Sequence, residues 1–149
     1  MLSKKAKYAL RALIVLGESS EPVLGCRAIA EQGDIPQKFL ENIVQELRDF
    51  GFLKSKRGIF GGYCLARKPS EIFVGDVVRM IDGPLAPIRC ASLTSYEGCD
   101  DCGEEAECAI RRTMLDVRHA ISKVLDKRPL SALLHGACLN SMHKKKRKK

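Results

Sequence analysis

Residues 29–67 read IAEQGDIPQKFLENIVQELRDFGFLKSKRGIFGGYCLAR, and the reading of this stretch decides the fold. Gly33 closes a short helical run that starts at Cys26. Asp34 is the expected N-cap of the next helix, and Pro36 sits at an early position where its missing N–H costs little. That helix is expected to run to Phe50 and to stop at Gly51. Its apolar face is Phe39, Leu40, Ile43, Val44 and Leu47, and its outward face is Gln37, Lys38, Glu41, Asn42, Gln45 and Arg48. Two short helices joined by a tight turn make a helix-turn-helix unit. Residues 52–55 and 63–66 then read as two short strands. Gly58, Gly61 and Gly62 are expected to supply the unusual backbone angles at the tip between them. Lys54, Lys56 and Arg57 lie on or beside that tip. A helix-turn-helix followed by a basic hairpin is the layout of a winged helix. Its second helix enters the major groove of DNA, and its wing lies along the backbone or in the minor groove.

Working outward, residues 3–17 read as a first helix, with Ala6, Ala9, Leu10, Leu13, Ile14 and Gly17 on one face. Arg11 interrupts its apolar run and no small-residue cleavage site follows, so it reads as an amphipathic helix of a cytoplasmic protein. No run approaches the roughly 18 apolar residues that span a bilayer, and no membrane partner is expected. Residues 74–82 give another short helix, ended by Gly83 and Pro84. Residues 107–130, ECAIRRTMLDVRHAISKVLDKRPL, give a long one. There Ile110, Met114, Val117, Ile121 and Val124 are spaced 4, 3, 4, 3, an a/d seam suited to pairing with a second helix. Leu115 and Leu125 widen the stripe, as packing within one chain would. A symmetric dimer is expected, and its two-fold axis matches a pseudo-palindromic DNA site. Residues 130–134 read as a last helical turn.

The expected fold class is therefore mostly α with a small β-hairpin wing: a winged helix-turn-helix plus a long C-terminal dimerisation helix. The expected division is a DNA-binding unit at 1–83, a cysteine-rich loop at 84–108, a dimerisation helix at 109–135 and a basic tail at 136–149, expected to be disordered. A length of 149 residues and an apolar fraction of 45% suit one compact domain.

The net charge of +8 is unevenly spread. Residues 144–149, KKKRKK, carry six of the positive charges, on a solvated tail or as a DNA-affinity element. Residues 1–68 hold twelve Lys or Arg against seven Asp or Glu. This polarity suggests an anionic partner for the first half, with double-stranded DNA foremost. Ser3, Lys4, Lys5, Lys54 and Lys56 are expected phosphate contacts. No Ser/His/Asp arrangement, phosphate loop or paired catalytic acid stands out, and three histidines offer little to an enzyme.

The segment CASLTSYEGCDDCGEEAEC, residues 90–108, holds four of the seven cysteines and six of the eighteen acidic residues. Its spacing is Cys90-x8-Cys99-x2-Cys102-x5-Cys108. Without a signal peptide, clustered cysteines point to metal or redox chemistry rather than to a disulfide framework. Four thiols within nineteen residues can wrap one centre, and on the residues alone zinc and an iron–sulfur cluster stand close. A metal-free thiol–disulfide switch and a plain loop are the other readings. The carboxylates should raise the pKa of nearby thiols and lower the reduction potential of a cluster. With few large apolar residues, only Leu93 and Tyr96, something other than a core must order the segment, or it stays mobile. Cys26 and Cys138 read as small buried apolar residues, and Cys64 as a wing-strand position.

KAKYALRAL, the helix-turn-helix and wing quoted above, and a cysteine loop ahead of a long helix together resemble the Rrf2 family of bacterial winged-helix regulators, over roughly residues 1–135. The most specific piece is RGIFGGYCLAR, which is similar to the family's RGxxGGYxLA signature. The resemblance implies a dimeric DNA-binding repressor or dual regulator. In many members a 2Fe–2S or 4Fe–4S cluster in the loop responds to oxidants, nitric oxide or iron limitation. It implies base reading by Gln37, Lys38, Glu41 and Asn42, with Arg57 in the wing. It implies an iron–sulfur cofactor on Cys90, Cys99, Cys102 and Cys108, with zinc as the alternative. Cluster-bearing members typically use three loop cysteines and one other residue. Here Cys90 stands further upstream than usual and Cys99 is an addition. Lys7 stands where some members place a carboxylate ligand, and Arg111 where some place a histidine. Neither can serve, which favours four cysteines from one chain. A redox or electron-transfer metalloprotein, and a cluster-free regulator that senses thiol oxidation or binds a metabolic enzyme, are the alternatives.

Overall fold

In a computed structural model, residues 2–134 are described. The elements run α1 (Lys4–Glu18), α2 (Cys26–Gly33), α3 (Gln37–Asp49), β1 (Leu53–Lys56), β2 (Gly62–Leu65), α4 (Val74–Asp82) and α5 (Ala109–Leu125). Short 3-10 turns stand at Pro69–Glu71, Arg89–Ala91, Glu105–Glu107 and Leu130–Leu133. The expected class, a helical body with one β-hairpin, is what forms. Ser3 caps α1, its Oγ accepting from the Ala6 amide at 3.0 Å. Ala6, Ala9, Ala12, Leu13 and Val15 of α1 are buried, and the small alanines let α2, α3 and α4 all pack against it. Leu40, Ile43, Val44 and Leu47 of α3 complete the centre with Phe52 and Leu53 of the wing base.

The entry to α3 differs from expectation. Asp34 is not its N-cap. It ends α2 in the left-handed conformation, φ 50°, with its N–H turned back to the Ala30 carbonyl. Pro36 takes the N-cap position without a side-chain bond, because two residues separate Asp34 from the first helical turn. Phe39, expected on the apolar face, is 58% exposed and reaches only the edge of Tyr8, ring centroids 6.4 Å apart.

The wing pairs antiparallel, Leu53 opposite Leu65 and Lys56 opposite Gly62. Of its three glycines only Gly58 has a positive φ, +115°. Gly61 and Gly62 serve close approach instead. A Cβ on Gly62 would lie 2.2 Å from the Leu24 carbonyl oxygen, where Leu24 and Tyr63 exchange both backbone hydrogen bonds, at 2.8 and 3.0 Å. The hairpin is thus welded to the segment before α2.

The chain after α5 does not extend the helix. It turns at Asp126 and comes home: the Val74 amide donates to the Arg128 carbonyl at 3.0 Å, and the Leu130 amide to the Ile72 carbonyl at 2.7 Å. Leu130 is fully buried in the winged-helix core, and Leu134 packs where a Cβ on Gly17 would stand. Arg79 of α4 grips Asp126 with two 2.8 Å contacts. Cys138 and the KKKRKK run lie outside the described residues. Replacing Leu130 with Ala should cost about 2–5 kcal/mol in denaturant unfolding at fixed protein concentration. Leu133→Ala, at a partly exposed position next to it, should cost less than about 1 kcal/mol. Equal losses would mean that the returning segment is not part of the core.

Candidate nucleic-acid interface and cysteine site

The fold connects two sites. The first is basic. Gln37, Lys38, Glu41 and Asn42 all stand on the exposed face of α3, where Gln37 donates to Glu41 at 3.3 Å. Lys54, Lys56 and Arg57 are exposed on the wing. Lys4 is exposed, whereas Lys5 pairs with Glu46 at 2.7 Å. Ser3 is engaged twice over: its amide and hydroxyl both donate to Asp82, and its oxygen caps α1.

Several features of this face escaped the sequence reading. A groove of about 640 Å³ opens between α1, α2 and the start of α3, lined by Lys4, Lys7, Arg11, Arg27, Tyr8 and Gln37 among others. The 4, 7, 8, 11 spacing of Lys4, Lys7, Tyr8 and Arg11 places them on one face of α1 and could have revealed it. At the wing tip Ile59 and Phe60 are 98% and 89% exposed, two large apolar side chains between the basic residues and the close-packed glycines. Only the turn residues around them had drawn notice.

The second site is the cysteine loop. Cys108 sits at the N-cap of α5, its sulfur accepting from the Arg111 amide at 3.4 Å. Cys102 reaches Cys108 at 3.8 Å, and its amide donates to the Cys99 carbonyl at 3.3 Å, so the turn brings Cys99 alongside them. Cys90 is buried on the turn before the loop, and its carbonyl accepts from Arg111 Nε at 3.0 Å. No disulfide forms among the described residues.

The loop has no apolar anchor of its own. Leu93 and Tyr96 are exposed. Polar ties order it instead, and Glu105 is their centre. That carboxylate accepts from the Tyr96 hydroxyl and from the Cys99 amide, and lies 3.8 Å from the Arg111 guanidinium. Arg89 pairs with Glu97 across the same turn. Arg111 and Glu105 are functional in holding the loop, a role that the sequence did not announce.

The two touching thiols are shifted in opposite directions, and only Cys102 in the expected one. Cys102 is pushed up to about 12, first by its bond to Cys99 and then by its bond to Cys108, which hold the proton on sulfur. Carboxylates are not among the causes. Cys108 goes the other way, below the ordinary thiol value, chiefly because the Arg111 amide donates to the thiolate. The Tyr96 hydroxyl, by donating to Glu105, holds that carboxyl below its usual range and is itself raised.

The donor chemistry suits a soft metal. Thiolates bound about 2.3 Å from one tetrahedral metal stand about 3.8 Å apart, the separation seen between Cys102 and Cys108. Cys99 adjoins them. Among the described residues no three His, Cys, Asp or Glu side chains stand close enough together to hold a metal ion.

Comparison with known proteins adds identity to this geometry. The family model Rrf2, described as an iron-dependent transcriptional regulator, matches residues 2–136. An HTH-type regulator of Rhodobacter capsulatus, named as rrf2-like, is 38% identical over 138 residues, 90% of this chain and 92% of that protein. Among solved structures, the global cysteine regulator CymR of B. subtilis superposes with a TM-score of 0.73 at 32% identity, covering 90% of this chain and 95% of that one. IscR of T. potens superposes at 0.69 and 26% identity, covering 100% and 93%. No helix among the described residues is long and apolar enough to cross a membrane.

In the reduced, metal-free protein at pH 8, alkylation by iodoacetamide should reach Cys108 before Cys102. A lowered pKa leaves Cys108 the larger thiolate fraction. A thiol titrating at about 12 is ionised in only about one molecule in 10⁴ at that pH. Peptide mass mapping reads the order, and faster modification of Cys102 would contradict the opposite shifts of the two thiols.

Proposed function

The chain belongs to the Rrf2 family of transcriptional regulators, and from that premise we propose that it represses transcription as a symmetric dimer on a pseudo-palindromic duplex operator, with affinity set by an iron–sulfur centre on its cysteine loop. The observation that carries the reading is Cys108. Its thiol touches Cys102, caps α5, and so joins the loop to a helix whose far end is fixed in the winged-helix core.

Each part of this chain then has a task. The exposed face of α3 enters the major groove. Gln37 and Asn42 suit adenine edges, Lys38 suits guanine, and Glu41 accepts from cytosine. Arg57 of the wing joins the base reading, and Lys4, Lys54 and Lys56, with Lys7 and Arg11 of the groove, neutralise phosphates. The two copies meet along α5, where Ile110 is 67% exposed and Val117 and Val124 are exposed beside the half-buried Met114 and Ile121. An apolar a/d stripe left open to water on a long helix supports a paired helix.

Cys99, Cys102 and Cys108 would hold the centre, with Cys90 the fourth thiol from the adjoining turn. The family's description as iron-dependent supports iron over zinc. A bound cluster would supply a crosslink sensitive to iron, redox state or nitric oxide. The chain's own residues convert its presence into geometry. Arg111 and Glu105 hold the loop against the start of α5, and α5 sets the separation of the two recognition helices across the dimer. The contact between Cys102 and Cys108 also keeps a metal-free thiol switch as the second reading.

Protein purified without oxygen should show absorption bands between roughly 320 and 460 nm, with iron and sulfide in equal amounts. Colourless protein with one zinc per chain would make the loop structural. Colourless protein without metal, forming a Cys102 disulfide on mild oxidation, would move the reading to the thiol switch. On the DNA side, Asn42→Ala should cost about 1–3 kcal/mol and relax discrimination at one base position. Lys56→Ala should weaken all duplexes evenly and reduce the salt slope by about 1. Binding titrations on selected and scrambled duplexes read both effects, and uniform behaviour of the two variants would contradict the division of roles.

A further inference from the structure

Among the described residues two polar side chains are buried, Ser92 and Arg118, each 6% exposed. They line the same cavity. It holds about 270 Å³ between α4, the segment 84–94 and α5. Arg118 is the one buried residue of α5 and points to its own chain, away from the exposed Ile110, Val117 and Val124. Its Nε and Nη1 donors have no partner. Nη2 meets only the ring Nε2 of His119, which as an acceptor carries no negative charge.

A buried guanidinium without a counter-ion is expensive, so a compensating anion is expected. None comes from the neighbouring side chains. The other cation on the wall, Arg79, is already balanced by Asp126. No Asp or Glu lines the cavity, while Ser92, Thr94 and Ser122 do, the Ser92 Oγ also accepting from the Ser95 amide at 3.0 Å. Pro84, Leu85 and Leu93 supply an apolar wall. One unbalanced positive charge, three hydroxyl donors and an apolar wall in a small space match a small organic anion. The volume falls just short of the range for drug-sized ligands and is too tight for a nucleotide.

We propose that this cavity is a binding site for a small organic carboxylate, with Arg118 as its counter-ion and Ser92, Thr94 and Ser122 as its hydrogen-bond donors. The bound carboxylate clamps the segment 84–94, which carries Cys90, onto α5. It gives the protein a metabolite input separate from the thiols. The proposal stands whether or not the loop holds iron.

The test uses the full chain as purified and sodium acetate as the probe. Melting is followed at constant ionic strength while acetate replaces chloride. Wild type should gain about 2–4 °C at saturating acetate. Arg118→Met should lose the gain, and Thr94→Val should need several-fold more acetate for the same gain. If Arg118→Met does not fold, Thr94→Val and Ser122→Val carry the comparison. An equal gain in wild type and variants overturns the site. No gain in wild type overturns it, as does an Arg118→Met protein that becomes monomeric, which would place a partner's carboxylate on Arg118. Sulfate acting at lower concentration than acetate overturns the carboxylate assignment.

Discussion

The return of the chain after α5 is the constraint on which the rest of the molecule depends. Leu130 is buried in the winged-helix core, the Leu130 amide is bonded to Ile72 and the Val74 amide to Arg128. Arg79 fixes Asp126 at the corner. A helix of 17 residues, about 25 Å long, is thereby held rigidly at its C-terminal end. Its other end meets the cysteine loop through Cys108 and Arg111. Gly75 shows how closely the fixed end is fitted, since a Cβ there would stand 2.0 Å from the Asp126 carboxylate.

The two ends are held by different physics. The fixed end relies on apolar burial and backbone pairing, which change little with redox state or ligand. The loop end relies on polar ties at the surface: Glu105 to Tyr96, to the Cys99 amide and to Arg111, and Arg111 to the Cys90 carbonyl. Such ties contribute modestly in water, so this region sits at the low-stability end of the fold. A lever fixed at one end and weakly held at the other answers to whatever binds the weak end. The thiols lie there, while the cavity beside Arg118 lies along the middle of the helix, between the two ends.

Most of the fold was legible because its signals are local. The α3 periodicity, Gly58 at the wing tip and the 74–82 helix needed no tertiary knowledge. The misreadings fall where tertiary contacts decide. Asp34 has the chemistry of a cap, but the left-handed turn that ends α2 claims it. Gly61 and Gly62 looked like turn residues, and approach by Leu24 and Lys56 is what requires them. The cysteine cluster was visible as spacing. Its supports were not, because Arg111 and Glu105 act across 21 and 6 residues on the Cys90 carbonyl and the Cys99 amide. A helix position lists Arg118 among charged surface residues, and only burial reveals otherwise.

The central claim is that the state of the cysteine loop is transmitted along α5 to the DNA-reading surface. The direct measurement is DNA affinity in two states of one preparation. Duplexes are first selected from a random pool by protein purified without oxygen. Affinity for the selected duplex and for a scrambled one is then titrated before and after chelation strips the metal. The account predicts that stripping changes affinity for the selected duplex at least about tenfold, roughly 1.4 kcal/mol, while the scrambled duplex changes little. Equal affinity in both states, for a protein shown to have lost its metal, would contradict it.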